Sequence, residues 1–430
     1  MKTTKMTQYK VYGYRWVMLA LFMVMVAANQ VLWITFAPIT VDAASFFKVS
    51  DLMIGILSMS FMIVYMVVSI PASWIIDTYG IKIGAGIGAL LTGTFGLMRG
   101  WAGADFNMVL MAQIGIAIGQ PFLLNSITKL SALWFPMEER ATAAGLGTLA
   151  MYIGILAGMV VTPVLFTSNG LVGMMNVYGI GAAVIALIFL IFSRNAPPTP
   201  PCEAHGEERA LALDGFKLMF KSQDFWLLMF IFFIGLGVFN CVTTWIENIM
   251  MPRGFTAVQA GNTGGAMIAG GIVGALIMPL LSDYYRRRTP FIMIALAGAT
   301  IGLIGITFAT SYFMLLTFGA MLGFFLLSSG PIGFQYGAEI TFPASEGASN
   351  GWLLLMGQVS GIAFIFGMDA FKSESTGSMT YPLMVLIGLM IFSFLLSARL
   401  KESKILTASA TVIDPELIVE TVQNNSPVNK

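Results

Sequence analysis

The sequence predicts an all-α membrane protein with twelve transmembrane helices in two six-helix pseudo-repeats. Composition gives the first reason: 57% of the 430 residues are hydrophobic and only 10% are charged, whereas soluble domains carry about 25% charged residues. The second reason is a series of twelve apolar windows, each close to the roughly 20 residues that a helix needs to cross a bilayer. The third is that motifs of the first half recur in the second half at a nearly constant spacing.

The predicted membrane-spanning helices follow one another with short connections, except after the sixth. They are expected at 16–38, 51–76, 81–102, 107–131, 145–166, 171–193, 224–249, 258–282, 289–310, 312–337, 347–370 and 381–399. Polar, proline-rich residues follow the sixth window, and polar residues also make up the end of the chain. The predicted organisation is a first six-helix bundle, a cytoplasmic linker, a second six-helix bundle and a disordered cytoplasmic tail, at 1–193, 194–223, 224–399 and 400–430.

The distribution of basic residues predicts how the chain is oriented. Of the 22 Lys and Arg residues, eighteen fall on the side that holds both termini, and the other side holds only Lys48, Arg99, Arg253 and Lys372. Because basic residues accumulate on the cytoplasmic side of membrane proteins, we expect both termini in the cytoplasm. The expected location is a plasma (inner) membrane, which the chain crosses repeatedly.

The composition also argues against several classes of function. A net charge of +1 provides no basic surface for nucleic acid, and the single histidine, His205, lies in the predicted linker. Cys202 and Cys241 are too few for a disulfide framework and are expected to be free thiols. The sequence contains no phosphate-binding loop with a lysine, no Ser-His-Asp set and no metal-ligand cluster. We therefore expect no enzyme activity and no cofactor. The protein is also expected to be a monomer in the lipid bilayer.

Two Phe-Pro pairs carry the first part of the repeat. The stretch "WFPMEERATAAG" at 134–145 aligns with "TFPASEGASNG" at 341–351 with an offset of 207 residues, which places Glu139 on Glu346. Proline cannot continue a helix, so both pairs are predicted to end a span at the cytoplasmic face. The acidic residues that follow favour the N-terminus of the next helix.

Two charged junctions carry the second part of the repeat. Asp77 in "PASWIIDTYGIK" aligns with Asp283 in "PLLSDYYRRR" with an offset of 206 residues, and Lys82 aligns with Arg288. An acid at a helix end followed by a cation predicts a charged latch between adjacent helices, which can hold one side of a pore closed. The alternative is a solvated turn with no gating role. The remaining candidates for gating or coupling are Glu139, Arg140, Glu247, Glu339 and Glu346.

Longer motifs resemble a known family. "PIGFQYGAEITFPASEGASNGWLLLMGQVSGIAF" (331–364) is similar to helices ten and eleven of the feline leukaemia virus subgroup C receptor family, and "YGYRWVMLALFMVMVAANQVLWI" (12–34) resembles its first helix. The "DTYGIK" junction resembles the signature loop of the major facilitator superfamily, with Ser73 in place of Gly and Thr78 in place of Arg. The resemblance implies the major facilitator fold and the family's transport of haem, choline or ethanolamine.

The same resemblance implies roles for individual residues. Trp33 aligns with a tryptophan that packs on a quaternary ammonium through a cation–π contact, and Gln358 aligns with the family's glutamine in helix eleven. Asn240 stands where the family has an aromatic residue in helix seven, and Tyr152 stands where it has a glutamine in helix five. These departures favour a substrate that forms more hydrogen bonds than choline does.

Polar residues in apolar helices point to an overlapping site, because such side chains usually face the bundle interior. The predicted substrate-binding residues are Asn29, Gln30, Trp33, Gln120, Asn125, Tyr152, Asn240, Thr244 and Gln358. The repeat makes Trp33 and Asn240 symmetry mates, which places both toward a central cavity. For Gln120 and Asn125, hydrogen bonding between helices is an equally good explanation.

These patterns predict a secondary-active or facilitative transporter. The expected cargo is a small polar or cationic organic metabolite, such as a choline- or ethanolamine-like amine, moved by alternating access. One alternative cargo is an amphipathic organic anion such as haem or a siderophore-like compound, with or without proton coupling. Glu247 and Glu339 could carry that proton, or each could brace a helix end instead. Another alternative is a membrane receptor that binds without translocating.

Overall fold

The computed structural model describes residues 9–202, 219–342 and 346–403, apart from the side chains of residues 346 and 347. These ranges fold into α-helices and short 3₁₀ turns, with no strand among them. Eleven continuous helical stretches are long and apolar enough to cross a membrane. One of them, Arg140–Phe192, is bent at Gly170, whose φ of 68° breaks it into two spans. The number of spans is therefore twelve, and the predicted fold class is confirmed.

The spans are numbered here in chain order, α1–α6 forming the first half and α7–α12 the second. The two parts of Arg140–Phe192 are α5 (140–169) and α6 (171–192). The others are α1 Tyr14–Ile34, α2 Asp51–Tyr79, α3 Ile81–Trp101, α4 Phe106–Leu124 with Ser126–Trp134, α7 Gln223–Thr244, α8 Ala257–Tyr284, α9 Thr289–Phe308, α10 Tyr312–Thr341, α11 Glu346–Ala370 and α12 Thr380–Ser397. Short helices Thr40–Phe47 and Ile246–Met250 follow α1 and α7.

Side-chain caps explain where several helices begin. Asp105 accepts hydrogen bonds from the backbone N–H groups of Asn107 and Met108, at 2.9 and 3.2 Å, at the start of α4. Thr256 forms a capping box with Gln259 at the start of α8. A helix leaves its first N–H groups without internal partners, and these caps supply acceptors for them. The starts of these spans are thus specified locally by sequence.

Glycines allow the closest approaches between helices. A Cβ atom at Gly154 would overlap the backbone of Ala27, so α5 lies directly on α1. A Cβ atom at Gly274 would likewise overlap the carbonyl group of Phe324, so α8 lies directly on α10. Small residues let membrane helices approach backbone to backbone. Gly154 and Gly274 thus mark two close crossings, one in each half.

The bundle has two ends, which we name by the chain. The terminal face is the end at which α1 begins and α12 finishes, and the distal face is the end at which α1 finishes. The halves contact each other near the distal face: a Cβ atom at Gly55 of α2 would lie 3.2 Å from the indole of Trp245. Gly261 of α8 packs against Met159 of α5, also in the distal part of the bundle.

Candidate functional site

The first span is interrupted toward the distal face. α1 ends at Ile34, and the chain continues through a 3₁₀ turn before the short helix Thr40–Phe47. The carbonyl oxygen of Leu32, in the last turn of α1, accepts hydrogen bonds from Arg99 Nη1 at 2.9 Å and Gln113 Nε2 at 3.1 Å. The break is therefore held by side chains of α3 and α4.

Arg99 is a residue of this region that sequence reasoning did not include. Its side chain is fully buried and also donates to Gln113 Oε1 at 3.0 Å and Thr35 Oγ1 at 3.3 Å. Its guanidinium lies 5.4 Å from the ring centroid of Phe36. Arg99 lies near the end of a predicted span, a position that is typical of an exposed cation. The available signal was the pairing of Arg99 in α3 with Gln113 in α4, two polar groups in otherwise apolar helices.

Trp33 is fixed beside this break. Its indole Nε1 donates to the carbonyl oxygen of Ser58 on α2 at 3.2 Å, and the side chain is 7% exposed. The symmetry mate Asn240 donates through Nδ2 to the carbonyl oxygen of Gly357 on α11, also at 3.2 Å. The indole N–H is thus bonded, and the ring packs in the apolar cluster at the interface.

Three predicted site residues keep free hydrogen-bonding capacity. Within the described ranges, the hydroxyl of Tyr152 and the amides of Gln120 and Gln358 form no hydrogen bond with the protein. Tyr152 and Gln358 are half-buried, and Tyr152 packs on the apolar cluster that includes Trp33. Gln358 directly follows Gly357, the partner of Asn240. Tyr152 and Gln358 combine partial exposure with unused donors and acceptors, which a polar ligand requires, whereas Gln120 is buried.

Other predicted site residues bond inside the first half. Asn29 donates to Thr92 Oγ1 at 3.1 Å and accepts from Gln30 at 3.3 Å. Asn125 accepts from the Tyr65 hydroxyl at 3.0 Å and donates to hydroxyls of α2. Both amides therefore join neighbouring helices. The interhelical explanation fits Asn125 in this structure. Asn29 faces α3 and α4, and the Cβ atom of Gln30 lies beside Gly154 of α5.

At the distal face, polar contacts join the two halves. Asp51 of α2 accepts from Asn248 Nδ2 at 2.8 Å and forms an ion pair with Lys372, which follows α11. Glu247 accepts from the backbone N–H of Val41 at 2.8 Å. Thr244, at the end of α7, is buried, and its hydroxyl has no hydrogen-bond partner among the residues that the structure describes. This side of the interface is closed by bonds that cross it.

The first junction at the terminal face differs from the predicted latch. Asp77 forms its ion pair with Lys129 of α4, at 3.6 Å, instead of with Lys82. Lys129 also donates to the carbonyl oxygens of Ile76 and Asp77, at 2.7 and 2.9 Å, and so caps the end of α2. Lys82 is exposed, because α3 begins directly after the turn at Gly80 and directs this side chain into solvent.

The second junction contains the pair that the sequence predicts and an additional acid. Arg288 forms an ion pair with Asp283, and its Nη2 lies 3.1 Å from Glu339 Oε1. Arg288 thus supplies the cation for Glu339 that α10 itself does not contain. Glu402 accepts from the Arg288 N–H at 2.7 Å and the Thr289 hydroxyl at 2.8 Å. The first residues of the predicted tail therefore cap α9.

The Phe-Pro junction of the first half is also braced by charge. Glu139 accepts two hydrogen bonds from Arg15, at 3.0 and 3.2 Å. Arg140 donates to the carbonyl oxygens of Ala132 and Phe135, at 3.0 and 3.3 Å, and caps the end of α4. The side chain of Glu346, the repeat mate of Glu139, lies outside the described residues. Among the residues described, each ion pair at the terminal face joins groups of one half.

Twelve spans with polar side chains gathered at the interface of two halves define a multi-pass membrane transporter. The chain belongs to the Major Facilitator Superfamily, whose family model matches residues 17–365. "Solute carrier family 49 member A3" of Xenopus tropicalis is 28% identical over 376 residues, covering 83% of this chain and 78% of the relative. "Choline/ethanolamine transporter FLVCR1" of Mus musculus is 27% identical over 439 residues, covering 93% and 78%. The resemblance to the feline leukaemia virus subgroup C receptor family is thereby confirmed.

Solved structures show the same fold. A bacterial homologue of the human lysosomal transporter Spinster, inward-facing and unoccupied, matches with a TM-score of 0.72 at 17% identity, covering 90% of this chain and 98% of that one. A D-xylose–proton symporter matches with a TM-score of 0.70 at 14% identity, covering 91% and 99%. At these identities the likeness establishes the fold alone.

Proposed function

We propose that the protein moves a small polar or cationic organic metabolite, of the choline or ethanolamine type, across the plasma (inner) membrane by alternating access. The observation that carries the proposal is that Trp33, with its N–H bonded to Ser58, belongs to the apolar cluster on which Tyr152 packs, and that the Tyr152 hydroxyl has no hydrogen-bond partner among the described residues. An aromatic face attracts a cationic ammonium. The free groups of Tyr152 and Gln358 would bind the hydroxyl or amine hydrogens of the cargo.

The proposed orientation places the terminal face in the cytoplasm, as the basic residues predict. The distal contacts, including Asp51 with Lys372, would then close the outer side. Ion pairs at the terminal face stay within one half, so they do not hold the two halves together there. This arrangement supports a resting form that receives or releases cargo on the cytoplasmic side.

The relatives support the cargo class. The mouse relative is named a choline/ethanolamine transporter, and a zebrafish relative, 27% identical over 422 residues, carries the same description. Tyr152 and Asn240 replace the side chains that the family resemblance implies, and both can form hydrogen bonds. The proposed cargo is therefore an amine that carries additional polar groups. In this proposal a single copy of the chain transports the cargo, without a chemical reaction and without a cofactor.

An organic anion receives less support from the site. Arg99 is fully buried, and its donors are directed to Leu32, Thr35 and Gln113. Binding a carboxylate there would break the contacts that hold the α1 break. Haem or a siderophore-like anion would need another cation at the interface, and Lys129 and Arg288 already have acidic partners at the terminal face.

Ligand-induced thermal stabilisation of the purified protein tests this function. A ligand that binds only the folded state raises its melting temperature according to its occupancy. Choline, ethanolamine and hydroxylated amines should stabilise the wild type but not Trp33→Ala, whereas haem and organic anions should stabilise neither. Trp101→Ala is the matched control, because Trp101 is 72% exposed at the end of α3. Stabilisation by anions alone, unaffected by Trp33→Ala, would replace the amine with an anionic cargo.

A further inference from the structure

Glu247 is the most unusual carboxylate in the interface. It lies in the short helix Ile246–Met250, just beyond the end of α7, and its side chain is 1% exposed. Its Oε2 accepts the Val41 N–H, whereas Oε1 has no hydrogen-bond partner among the described residues. A buried carboxylate with one donor is poorly compensated for the loss of water. The arrangement therefore needs a second interaction at Oε1.

The charged groups around Glu247 do not provide a compensating cation. The segment after α1 contributes Asp42 and α2 contributes Asp51, and Asp51 in turn interacts with Asp369 of α11 and with Lys372 of the following loop. Lys372 is paired with Asp51. On the same segment as Glu247, Arg253 donates to the carbonyl oxygen of Ile306 at 2.6 Å. In the described ranges no Lys or Arg forms an ion pair with Glu247.

The consequence is that the charged form of Glu247 is disfavoured while the halves are in contact. Burial, together with the negative charges of Asp42 and Asp51, raises the pKa of Glu247 from 4.5 to about 8. When the distal contacts separate, water regains access to the carboxylate and the ordinary ionised form becomes favourable again. The protonation state of Glu247 is thereby linked to the position of the two halves.

We propose that Glu247 is a proton-binding site in the interface between the halves, and that the distal face closes fully only when this site is occupied. On closure, a hydronium ion of the external solution transfers its proton to Oε1, which forms an O–H bond and leaves water. On opening, the same proton returns to the external solution. The inference rests on the proposed function, because it assumes that the distal face opens during transport. It predicts pH-dependent closure without net proton movement.

A rival occupant is a sodium ion, since a metal cation could also neutralise the carboxylate. Asn248 Oδ1 is a second buried oxygen without a partner on the same short helix. Sodium sites in transporters use several oxygens around broken helices. The proton requires only Glu247 itself, and we therefore assign the proton and use sodium dependence as a test.

Accessibility of the distal part of the interface measures closure directly. Ser58 is 2% exposed on α2, one helical turn from Gly55, which meets the second half. Ser58→Cys, combined with Cys202→Ser and Cys241→Ala, gives an almost isosteric reporter in the full chain. Reconstituted protein would be labelled from outside with a membrane-impermeant thiol reagent. Labelling would be normalised to Ser375→Cys, an exposed distal position, to remove the intrinsic pH dependence of thiol reactivity.

The expected result is several-fold faster normalised labelling as the external pH rises from about 6 to about 9, on either side of the Glu247 pKa. Glu247→Gln, which resembles the protonated acid, should give slow labelling at every pH. The matched control Glu374→Gln changes an exposed distal carboxylate and should follow the wild type. Stability of each variant is checked by its melting temperature at about pH 6.

Two outcomes would overturn the proton site. One is a Glu247→Gln variant that keeps the pH profile of the wild type. The other is labelling that responds to replacement of sodium by a large organic cation but not to pH. Neither result depends on cargo, so failure here is distinguishable from failure of the amine-transport proposal, which is decided by ligand stabilisation and Trp33→Ala.

Discussion

Arg99 donates a hydrogen bond to the carbonyl oxygen of Leu32 at 2.9 Å, and this bond ties α3 to the turn of α1 that carries Trp33. A buried arginine is costly unless its donors are used. Here two of its hydrogen bonds, to Leu32 and Thr35, reach the end of α1, and a third reaches Gln113 of α4. The position of Trp33 therefore depends on a residue that does not itself face the proposed cargo.

We expect Arg99→Ala to destabilise the protein by about 3 kcal/mol, because it removes buried charged hydrogen bonds and leaves a cavity. Its melting temperature in detergent should fall well below that of the wild type. Arg194→Ala is the control, since Arg194 is exposed and contacts only the ring of Tyr14 through its guanidinium, at 4.6 Å. Equal stability of the two variants would show that the α1 break does not depend on Arg99.

The charged junctions give a second prediction. Removing Lys129 should weaken the end of α2, because its ammonium caps two carbonyl oxygens and pairs with Asp77. Lys82 is exposed, and Lys82→Ala should change the free energy of unfolding by less than about 0.5 kcal/mol. Melting curves of the two alanine variants distinguish these partners. A larger loss of stability for Lys82→Ala than for Lys129→Ala would favour the Asp77–Lys82 pair that the sequence predicts.

The second junction should be more sensitive. Arg288→Ala leaves the 8% exposed side chain of Glu339 without its cation, and breaking a buried pair on one side costs about 3 kcal/mol or more. The charge-swapped double variant Arg288→Glu with Glu339→Arg should recover part of the lost stability and transport. No recovery in the double variant would indicate that the geometry, including Asp283, matters more than the charge pair.

Glycine packing provides a prediction about folding. Gly274→Leu should reduce the yield of folded protein strongly, because its side chain would overlap the α10 backbone at Phe324. Gly330→Leu is the matched control on α10, since a Cβ atom there meets nothing within 4 Å. Size-exclusion profiles of detergent extracts compare the two. Similar monodisperse yields would contradict the close crossing of α8 and α10.

Stability should also depend on pH through Glu247. The folded-state pKa of this acid lies above its ordinary value of 4.5, so folding favours its protonated form. Its contribution is complete below about pH 4.5 and is lost as the pH rises through about 8. Glu247→Gln should therefore melt at a higher temperature than the wild type at about pH 9 and at a similar temperature at about pH 5. A constant difference at both values would exclude this titration.

The fold could be predicted because its determinants are local. Apolar windows specify the spans, Phe-Pro pairs end two of them, and the glycines at 154 and 274 mark close crossings. The site could be predicted only in part. Partner choice for Asp77 and Glu339 depends on which helix ends meet in three dimensions. The sequence favours the nearest cation along the chain, Lys82, for Asp77 and predicts none for Glu339. The burial of Arg99 likewise depends on how the helices pack around it, which the sequence alone does not reveal.

The polar residues illustrate the same limit. Asn125 and Gln358 are both amides in apolar helices, and composition treats them alike. In the structure Asn125 is bonded to hydroxyls of α2, whereas Gln358 has no hydrogen-bond partner within the part of the chain that the structure describes and is partly exposed. Only the arrangement of the neighbouring helices distinguishes an interhelical bond from a group that is available to a ligand.

Uptake of radiolabelled choline and ethanolamine into liposomes containing the purified protein tests the proposed transport most directly. We expect saturable uptake by the wild type, a loss of about tenfold in kcat/KM for Trp33→Ala, and an intermediate value for Trp33→Phe, which keeps an aromatic face. Trp101→Ala should match the wild type. Absence of uptake of either amine, or unchanged uptake by Trp33→Ala, would contradict an amine transporter built around Trp33.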